Sequence, residues 1–377
     1  MIEIISPSRL REELAFSSDV LVIDTRNAGD FEEWHIPGAI NVPFSTGDEL
    51  SEADLPEGFD EHDRVITICG KGISSHEVAS HLEDAGASEV LVVDGGMEAW
   101  SREYDHTGVD FGDDVIVIQL QRVAKGCLTY VVGCRATNRA VVIDPFIHPA
   151  PIEEALETHD LEVEAVIDTH VHADHISGGP SLSQRLDVPY VISARSGDRG
   201  LVHDHVGLED GDTLTVGAID ITSMATPGHS TDIMSLVLED LAVFTGDTLF
   251  TDAVGRTELE SLDDAEDKAR RLFHSLTEVL LYLPPETVVL PGHFEPSDET
   301  VRRPPEPRIT TIGEAREQIS LLTVDEETFV ERIVDRSASR PPNYEEIIEI
   351  NLGVRSLPDT DTLTELELGP NRCAAPA

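Results

Sequence analysis

The sequence predicts an α/β protein of two domains, in which a small parallel-sheet domain precedes a larger sandwich of two sheets with helices outside. A chain of 377 residues is too long for one ordinary hydrophobic core. Residues 1–107 alternate short β-branched runs with helical stretches, and residues 115–356 contain many strands separated by turns. Between them, the polar segment 108–114 predicts a linker. The acidic residues 357–377 predict a flexible tail.

The first domain contains a cysteine at a chemically informative position. Three apolar runs, at 20–24, 65–69 and 90–94, predict buried parallel strands, and 74–86 predicts a helix. Cys69 ends the second strand and opens a glycine-containing loop before this helix. Backbone N–H groups of such a loop, together with a helix N-terminus, favour the thiolate over the thiol. Cys69 is therefore predicted to be a nucleophile, and a buried packing cysteine is the alternative.

The second domain is predicted from a longer series of short elements. Strands are expected at 115–120, 128–132, 140–144, 163–167 and 190–192, and a hairpin is expected at 236–245 with its turn at Glu239 and Asp240. Helices are expected at 152–158, 181–186 and 262–283. The last of these has the clearest apolar face.

Residues of metal-binding type follow four apolar runs of the second domain, which lead into positions 170–175, 229, 247 and 293. The strand at 163–167 leads directly into four of them, and single ones follow the other three. Side chains alternate along an extended chain, so we expect His170, His172 and Asp174 to point to one side and His175 to turn back across the site. The seven residues are His170, His172, Asp174, His175, His229, Asp247 and His293. This set predicts a metal centre at the strand ends.

The charge of the chain excludes some classes of partner. Its net charge is −48, from 74 acidic and 26 basic residues. The acids are spread along the whole chain, which favours a surface adapted to a salt-rich, halophilic cytoplasm over a local cation-binding face. Nucleic acid and anionic membranes are poor partners for such a surface.

The cysteines and the N-terminus predict a cytoplasmic protein. Cys69, Cys127, Cys134 and Cys373 form no Cys-x-x-Cys pair and no disulfide-dense pattern. The N-terminus has no basic segment followed by an apolar core, and no apolar run is long enough to span a bilayer. A homo-oligomer is compatible with the sequence.

The first domain resembles the rhodanese family. The resemblance is carried by Asp24-Thr-Arg26, by the segment 31–43, by the loop from Cys69 to Ser75 and by 94–100. It implies that Cys69 carries sulfur from a sulfane-sulfur donor, with Lys71 as the cation beside it. Ser75 stands where many members have arginine. The sulfur donor could therefore be a persulfide or another sulfane-sulfur compound as well as thiosulfate. A docking or regulatory role for this domain is a further alternative.

Residues 115 to about 355 resemble the metallo-β-lactamase superfamily, whose fold is an αββα sandwich. The segments 249–257, 307–310 and 341–353 look most like its persulfide dioxygenase branch. In that branch one Fe(II) per chain is held by two histidines and an aspartate, which implies His170, His229 and Asp247 here. A low-molecular-weight thiol persulfide and dioxygen would be the substrates, and sulfite the product.

The resemblance also implies roles for other residues. His172, Asp174, His175 and His293 would surround the iron and its ligands without binding the iron themselves. Arg256 and Arg308 match positions that bind carboxylates of the thiol, and ordinary ion pairs are the alternative. Phe294 follows His293 where the family usually has a tyrosine nearby, so a persulfide smaller than glutathione persulfide fits equally well.

A second hypothesis belongs to a different reaction class. His172, Asp174, His175 and His293 are also ligands suited to a second metal. With two Zn(II) ions the chain would be a hydrolase of the glyoxalase II type, which cleaves a thioester. Metal analysis distinguishes the two hypotheses.

Overall fold

The structure of the chain is a computed structural model. It describes residues 2–17, 19–48, 50–51, 54–62, 64–260, 264–335, 343–369 and 374–375. Within these ranges no helix is both long and apolar enough to cross a bilayer.

The first domain is built around a five-stranded parallel sheet. Its strands are β1 Glu3–Ile5, β2 Val20–Asp24, β3 Ile40–Asn41, β4 Arg64–Ile68 and β5 Val90–Val93, and its helices are α1 Pro7–Phe16, α2 Ala28–Glu33, α3 Ser75–Ala85 and α4 Gly96–Trp100. The sheet order is β1-β5-β4-β2-β3. The three predicted strands and the predicted helix are confirmed, because apolar runs buried on both faces are distinctive in a sequence.

The second domain contains the remaining elements. Its strands are β6 Tyr104–Val109, β7 Val115–Arg122, β8 Cys127–Cys134, β9 Arg139–Ile143, β10 Glu162–Ile167, β11 Tyr190–Ser193, β12 Val206–Leu208, β13 Thr213–Val216, β14 Ile219–Ala225, β15 Met234–Leu238, β16 Ala242–Gly246, β17 Val254–Gly255, β18 Val288–Pro291, β19 Thr310–Thr311 and β20 Ala374–Ala375. Its helices are α5 Ala150–Thr158, α6 Gly179–Leu186, α7 Ala265–His274, α8 Asp298–Val301, α9 Ile312–Gln318, α10 Glu326–Asp335, α11 Tyr344–Asn351 and α12 Thr360–Glu367. One π-helical turn, Ser275–Val279, and one 3-10 turn, Leu280–Tyr282, continue α7, so the predicted long helix is confirmed from Ala265 onward.

Two sheets pack face to face in this domain. One has seven strands in the order β12-β11-β10-β9-β8-β7-β6, and the other has six in the order β13-β14-β15-β16-β18-β19. Val132 and Val141 of the first sheet share a core with Leu236 and Phe244 of the second. Separate apolar clusters join α5 and α6 to one outer face and α7, α9 and α10 to the other. The predicted αββα sandwich is therefore confirmed.

The structure differs from the predicted linker at residues 108–114. Strand β6 pairs with β7 along its length, from Tyr104 opposite Arg122 to Val109 opposite Val117. The chain therefore enters the second sheet before the predicted boundary at residue 107. The segment looked like a linker because it is polar, but its first residues continue strand β6, in which Asp105 is buried and forms an ion pair with Arg11 at the contact between the domains.

The prediction of a flexible tail at 357–377 is wrong for its described central part. Helix α12 buries Leu363 and Leu366 against Ile347 and Ile350 of α11. Two leucines spaced three apart supply an apolar stripe that an acidic average composition conceals. The predictions for 370–373 and 376–377 lie outside the described residues.

The two domains share buried polar contacts. Arg11 of α1, only 4% exposed, donates to Asp105 of β6 at 2.7 and 2.9 Å and to the carbonyl of Val301 at 2.7 Å. Trp34 donates its indole N–H to the carbonyl of Ala124 at 2.9 Å. Ala124 lies in the turn between β7 and β8 and packs into the core of the first domain. This turn thus contacts the first domain through Ala124, and the next residue, Lys125, contacts the loop that follows β10.

Candidate metal centre and sulfur-handling loop

The loop that follows β10 is held in place by side chains from distant segments. Asn351 donates to the carbonyls of His172 and His175, at 2.9 Å each. The buried ammonium of Lys125 donates to the carbonyl of Asp174 at 2.8 Å. Glu367 accepts from the N–H of Ile176 at 2.8 Å. A loop without regular structure is therefore fixed by side chains on β7–β8, α11 and α12.

Three of the predicted ligands form one compact group. Atoms of His170, His229 and Asp247 lie within 4.8 Å of one another, and all three side chains are buried. Asp247 Oδ2 is 3.9 Å from His170 Nε2 and 3.6 Å from His229 Nε2. Two atoms bound to one ion at about 2.1 Å lie at most about 4.2 Å apart. These separations therefore fit ligands of a single ion.

Neighbouring groups determine which atom each of these ligands presents. The Thr169 hydroxyl donates to Asp144 at 2.9 Å, so it accepts the Nδ1–H of His170, also at 2.9 Å. The Nδ1–H of His229 donates to the carbonyl of Arg256 at 2.9 Å. Both imidazoles then present an unprotonated Nε2 to the centre of the group, because a hydrogen bond at Nδ1 fixes the tautomer and the orientation of a metal-binding histidine.

The aspartate of the group is oriented in the same way. His293 Nδ1 lies 2.6 Å from Asp247 Oδ1, which leaves Oδ2 directed toward the histidines. Among the described residues, neither Asp247 Oδ2 nor His170 Nε2 has a hydrogen-bond partner, although both are buried. Unpaired polar atoms are costly inside a protein. A metal ion bound to them removes that cost, so the residues present fit the predicted metal.

Ionisation in this group is suited to metal binding. Burial and the neighbouring His172 lower the pKa of His170 to about 3, and burial lowers the pKa of His229. Both rings are therefore neutral near pH 7. Burial by itself would raise the pKa of Asp247, but His293 and the other imidazoles hold it below the ordinary value, so the carboxylate is charged.

The other predicted ligands lie in two adjoining groups. Asp174, His175 and His293 meet Cys127, while His172 meets Asp144 and Asp168, and all of these residues are buried. We expected His170, His172 and Asp174 to point to one side of the chain. The structure instead places each of them in a different group. Strand β10 ends at Ile167, so the alternation of an extended strand does not continue through the loop. The ring centroids of His170 and His172 are nonetheless 4.3 Å apart.

The loop of the first domain surrounds the sulfur of Cys69. Its Sγ accepts from the N–H of Ile73 at 3.1 Å and from the hydroxyl of Ser75 at 3.4 Å. Burial opposes ionisation of Cys69, but the hydrogen bonds, first those of Ser75, lower its pKa below the ordinary value. A Cβ atom on Gly96 would lie 2.1 Å from the carbonyl of Cys69, so this close approach requires glycine.

Lys71 lies on the exposed side of this loop. Its ammonium pairs with Glu98 at 3.1 Å. Both residues line a cavity of about 390 Å³ together with Gly70, Arg26 and Trp34. The predicted nucleophile thus has a cavity beside its loop.

Comparison with known proteins agrees with this architecture. Residues 6–103 match the rhodanese-like domain family, and residues 122–293 match the metallo-beta-lactamase superfamily. Persulfide dioxygenase ETHE1 of Bos taurus is 30% identical over 265 residues, which cover 69% of this chain and 96% of that protein. The chain belongs to the metallo-β-lactamase superfamily. Its N-terminal domain is a rhodanese domain.

Other members of the superfamily are similar over the same part of the chain. The human persulfide dioxygenase ETHE1 is 29% identical, with 64% of this chain and 89% of that protein covered. The crystal structure of ETHE1 from Myxococcus xanthus matches with a TM-score of 0.55 and 31% identity, covering 63% of this chain and 99% of that one. A probable zinc-dependent hydrolase of polyketide biosynthesis, BaeB of Bacillus velezensis, is 31% identical, covering 44% of this chain and 71% of that protein.

The two arginines expected to bind substrate have different surroundings in this superfamily member. Arg256 is 3% exposed, and its Nε donates to Glu258 at 2.7 Å. Arg308 is half-buried, with its guanidinium 5.0 Å from the ring centroid of Phe294. In the described part of the chain its Nε has no hydrogen-bond partner. Arg308 therefore has a donor available for an anion, whereas Arg256 already holds a carboxylate.

Sequence reasoning did not assign Cys127, Asp144 or Asp168 to the site. Asp144 follows β9 and Asp168 follows β10, so two aspartates at adjacent parallel strand ends were a usable signal. Cys127 begins β8 and is 47 residues from Asp174. Only the pairing of the sheets brings it to the metal loop, and no local pattern reveals this.

Proposed function

We propose that the chain is a persulfide dioxygenase. It converts a low-molecular-weight thiol persulfide, dioxygen and water into the thiol, sulfite and two protons, so that the terminal sulfur is oxidised and dioxygen is reduced. The observation that carries the proposal is the group of His170, His229 and Asp247, in which two neutral imidazoles and one carboxylate face a common point. The ETHE1 proteins of Bos taurus and Myxococcus xanthus, at 30% and 31% identity, support it.

Two histidines and one carboxylate are the ligand set of non-haem Fe(II) oxygenases. One Fe(II) bound here would supply adjacent positions for the persulfide sulfur and for dioxygen. The chain itself fixes the ligand atoms through Thr169, the Arg256 carbonyl and His293. Phe250, whose ring centroid is 6.5 Å from that of His293, packs in an apolar cluster with Ala173 and Leu259, and this surface would limit the access of water to a bound metal.

Arg308 is the better candidate of the two arginines for binding a carboxylate of the thiol. Its pKa is lowered by burial, as expected of a cation that lacks a full set of partners. An incoming carboxylate would restore that compensation. Arg256 would serve the site through its carbonyl, which orients His229.

The rhodanese domain is proposed to handle sulfane sulfur at Cys69. The Cys69 thiolate attacks the sulfane sulfur of a persulfide or thiosulfate donor; the donor's S–S bond breaks, the donor leaves as a thiolate or as sulfite, and Cys69 becomes a persulfide. Attack of sulfite on the outer sulfur of this persulfide then forms thiosulfate and releases the Cys69 thiolate. Alternatively, a small thiol attacks the outer sulfur of the Cys69 persulfide and releases the Cys69 thiolate. The small-thiol persulfide formed in this way would then be oxidised at the metal centre. Lys71 is proposed to stabilise anionic sulfur at the mouth of the loop.

Metal counting with an oxygen electrode tests the main proposal. We expect one iron per chain, persulfide-dependent oxygen uptake and sulfite as product, and loss of oxygen uptake in His229→Ala. Thiosulfate should accumulate when a sulfane-sulfur donor is added, and Cys69→Ser should return the product to sulfite. An unchanged product ratio in Cys69→Ser would instead support a docking or regulatory role for the first domain.

A dinuclear zinc hydrolase of the glyoxalase II type is the second candidate. Within the described residues, His172 Nδ1 and His175 Nε2 are buried without hydrogen-bond partners, so two more imidazole nitrogens are available for a metal. The BaeB relative is described as a zinc-dependent hydrolase. Two zinc ions per chain and thioester cleavage without oxygen uptake would replace the dioxygenase proposal with this one.

A further inference from the structure

We propose that Gln119 is a specificity-determining residue. It fixes the distance between Arg308 and the metal group, and so selects thiol persulfides by the length of the chain that carries their carboxylate. Gln119 is a positioning residue that acts through Arg308, so this role rests on the proposed function in taking Arg308 as the cation that binds the carboxylate.

Two glutamines interrupt the core-facing row of β7. Side chains alternate along this strand, so one face carries Val115, Val117, Gln119 and Gln121. The two valines pack in the core between the sheets. The glutamines are at most 1% exposed, although their amides are polar. Buried polar groups are costly unless they are hydrogen-bonded, so the partners of these amides explain their presence in the row.

All four hydrogen-bonding positions of the Gln119 amide are filled. Its Nε2 donates to the Arg308 carbonyl at 3.0 Å and to the Tyr130 hydroxyl at 3.1 Å. Its Oε1 accepts from the Arg308 N–H and from Gln121 Nε2, at 2.8 Å each. An amide has two donor hydrogens and two acceptor lone pairs, so this set is complete. The amide therefore has one orientation, in which it holds both backbone groups of Arg308 in the way that a neighbouring strand does.

The same amide connects Arg308 to the chain that precedes His293. The Tyr130 hydroxyl, which accepts from Gln119, donates to the Pro291 carbonyl at 2.6 Å. Pro291 ends β18, and His293, which contacts the carboxylate of the metal group, lies two residues further along. The backbone of Arg308 and the end of β18 are therefore held at a fixed separation.

The guanidinium of Arg308 is directed by the residue that follows His293. Its Cζ atom lies 5.0 Å from the ring centroid of Phe294. Its Nε is buried and has no hydrogen-bond partner among the residues that the structure describes. A carboxylate would satisfy this donor. Because Gln119 fixes the backbone and Phe294 directs the side chain, the donor has a set position relative to the metal group.

A fixed cation and a fixed metal group together define one distance between a carboxylate and a sulfur. A persulfide whose chain spans this distance can place its carboxylate at Arg308 and its terminal sulfur at the metal group at the same time. A shorter or longer chain requires Arg308 to move, and the Gln119 amide opposes that movement. Loss of the amide should therefore weaken selection among carboxylate-bearing persulfides more than it slows the chemical step.

Persulfides of mercaptoacetate, mercaptopropionate and mercaptobutyrate test this selection, and ethanethiol persulfide provides a substrate without a carboxylate. Full-length wild-type protein should prefer one chain length by at least about tenfold in kcat/KM. In Gln119→Leu, kcat/KM for the preferred persulfide should fall about tenfold, chiefly through a higher KM, and the length preference should shrink accordingly. For ethanethiol persulfide, kcat/KM should stay within about twofold of wild type, because this substrate has no group for Arg308 to bind.

The matched control is Gln121→Leu. Gln121 lies in the same buried row, but its Nε2 holds the carbonyl of Glu306, at 2.8 Å, rather than the backbone of Arg308. This variant should be destabilised in urea as Gln119→Leu is, yet it should keep the length preference. Equal loss of the preference in the two variants would overturn the proposal. An equal fall of kcat/KM in Gln119→Leu for ethanethiol persulfide and for the carboxylates would also overturn it.

Tyr130→Phe supplies a second variant if Gln119→Leu does not fold. It keeps the ring and removes the hydroxyl between Gln119 and Pro291. The length preference should fall at least about threefold, and an unchanged preference would overturn the proposal. In an Arg308→Ala background, Tyr130→Phe should have no further effect on the preference, since both act through the same guanidinium. A further fall in that background would contradict the role assigned to Gln119.

Calorimetry separates this inference from the proposed function, because binding of the free mercaptocarboxylates to full-length protein needs no oxygen. If no persulfide supports oxygen uptake, but binding shows a length preference that Gln119→Leu removes, the dioxygenase is refuted and the role of Gln119 is supported. If persulfides support oxygen uptake, but wild-type protein shows no length preference in turnover or in binding, the dioxygenase is supported and the role of Gln119 is refuted.

Discussion

Replacing Thr169 by valine removes one hydroxyl from beside the metal group and leaves the side-chain volume nearly unchanged. That hydroxyl donates to Asp144 and accepts from His170, at 2.9 Å in each case. Without it, the Nδ1–H of His170 loses its acceptor and the ring loses the bond that selects its tautomer. We expect weaker Fe(II) binding, since a ring with Nε2 protonated cannot coordinate.

The expected size follows from the bonds that are lost. Removing a partner of this kind weakens metal binding about 10- to 100-fold, which is about 1.4 to 2.8 kcal/mol of binding free energy. The lost hydrogen bond to the Asp144 carboxylate should also lower the free energy of unfolding by about 1.5 to 3 kcal/mol. Thr169→Ser keeps the hydroxyl and should recover most of the Fe(II) affinity.

The control is Thr129→Val. Thr129 is also buried, and its hydroxyl donates to the backbone carbonyl of the same Asp144 at 2.5 Å. This variant should be destabilised without losing affinity for Fe(II). Anaerobic titration of metal-free protein against a chelator gives the affinity, and urea unfolding gives the stability. If Thr169→Val binds Fe(II) as tightly as Thr129→Val does, the hydroxyl does not orient His170.

Other consequences can be measured separately. Leu366→Ala, in the segment predicted to be flexible, should lower the free energy of unfolding in urea by about 2 to 5 kcal/mol, and no change would mean that α12 does not pack. Burial and the neighbouring Asp105 raise the pKa of Glu103 from 4.5 to about 7. Because the folded state binds this proton more tightly than the unfolded state does, protonated Glu103 contributes to stability, and this contribution is lost as pH rises from 4.5 to about 7. In Glu103→Gln, the free energy of unfolding should therefore depend less on pH over that window. Alkylation of Cys69 should be half-maximal below pH 9.0, and Ser75→Ala should move that midpoint upward; an unmoved midpoint would exclude Ser75 as a cause. Raising KCl from about 0.1 M to about 1 M shortens the Debye length to about 3 Å and should raise the melting temperature, whereas a fall would contradict the salt-adapted surface.

The strands were predictable where burial alone selects the residues. Runs such as Val20–Asp24 and Val90–Val93 are short, rich in β-branched residues and buried along their length, which favours strands over helices. The seven metal-type residues were also found from the sequence, because each follows such a run. Their division into groups was not predictable, since it depends on how the loop turns after Ile167 and on which side chains hold that loop.

The average composition of a segment gave a wrong prediction where a few residues determine its structure. Segment 357–377 is acidic on average, yet α12 is held by Leu363, Leu366 and one buried carboxylate, that of Glu367. Cys127 gave no local signal because its contacts depend on the pairing of β8 with a loop after β18. Long-range contacts of this kind are fixed by sheet register, which a single sequence does not display.

A continuous set of buried polar contacts runs from the rhodanese domain to the metal loop. Arg122 donates through Nε to the carbonyl of Ser101, just after α4, at 2.6 Å and through Nη1 to Glu367 at 2.8 Å. Glu367 accepts in turn from the N–H of Ile176 in the metal loop. A buried ion pair contributes little net stability, but breaking it leaves an uncompensated charge at a cost of about 3 to 5 kcal/mol. The pair therefore joins α12 to the end of the first domain, and Glu367 joins both to the loop after β10. The end of the rhodanese domain and helix α12 thus both support the loop that carries the candidate metal ligands.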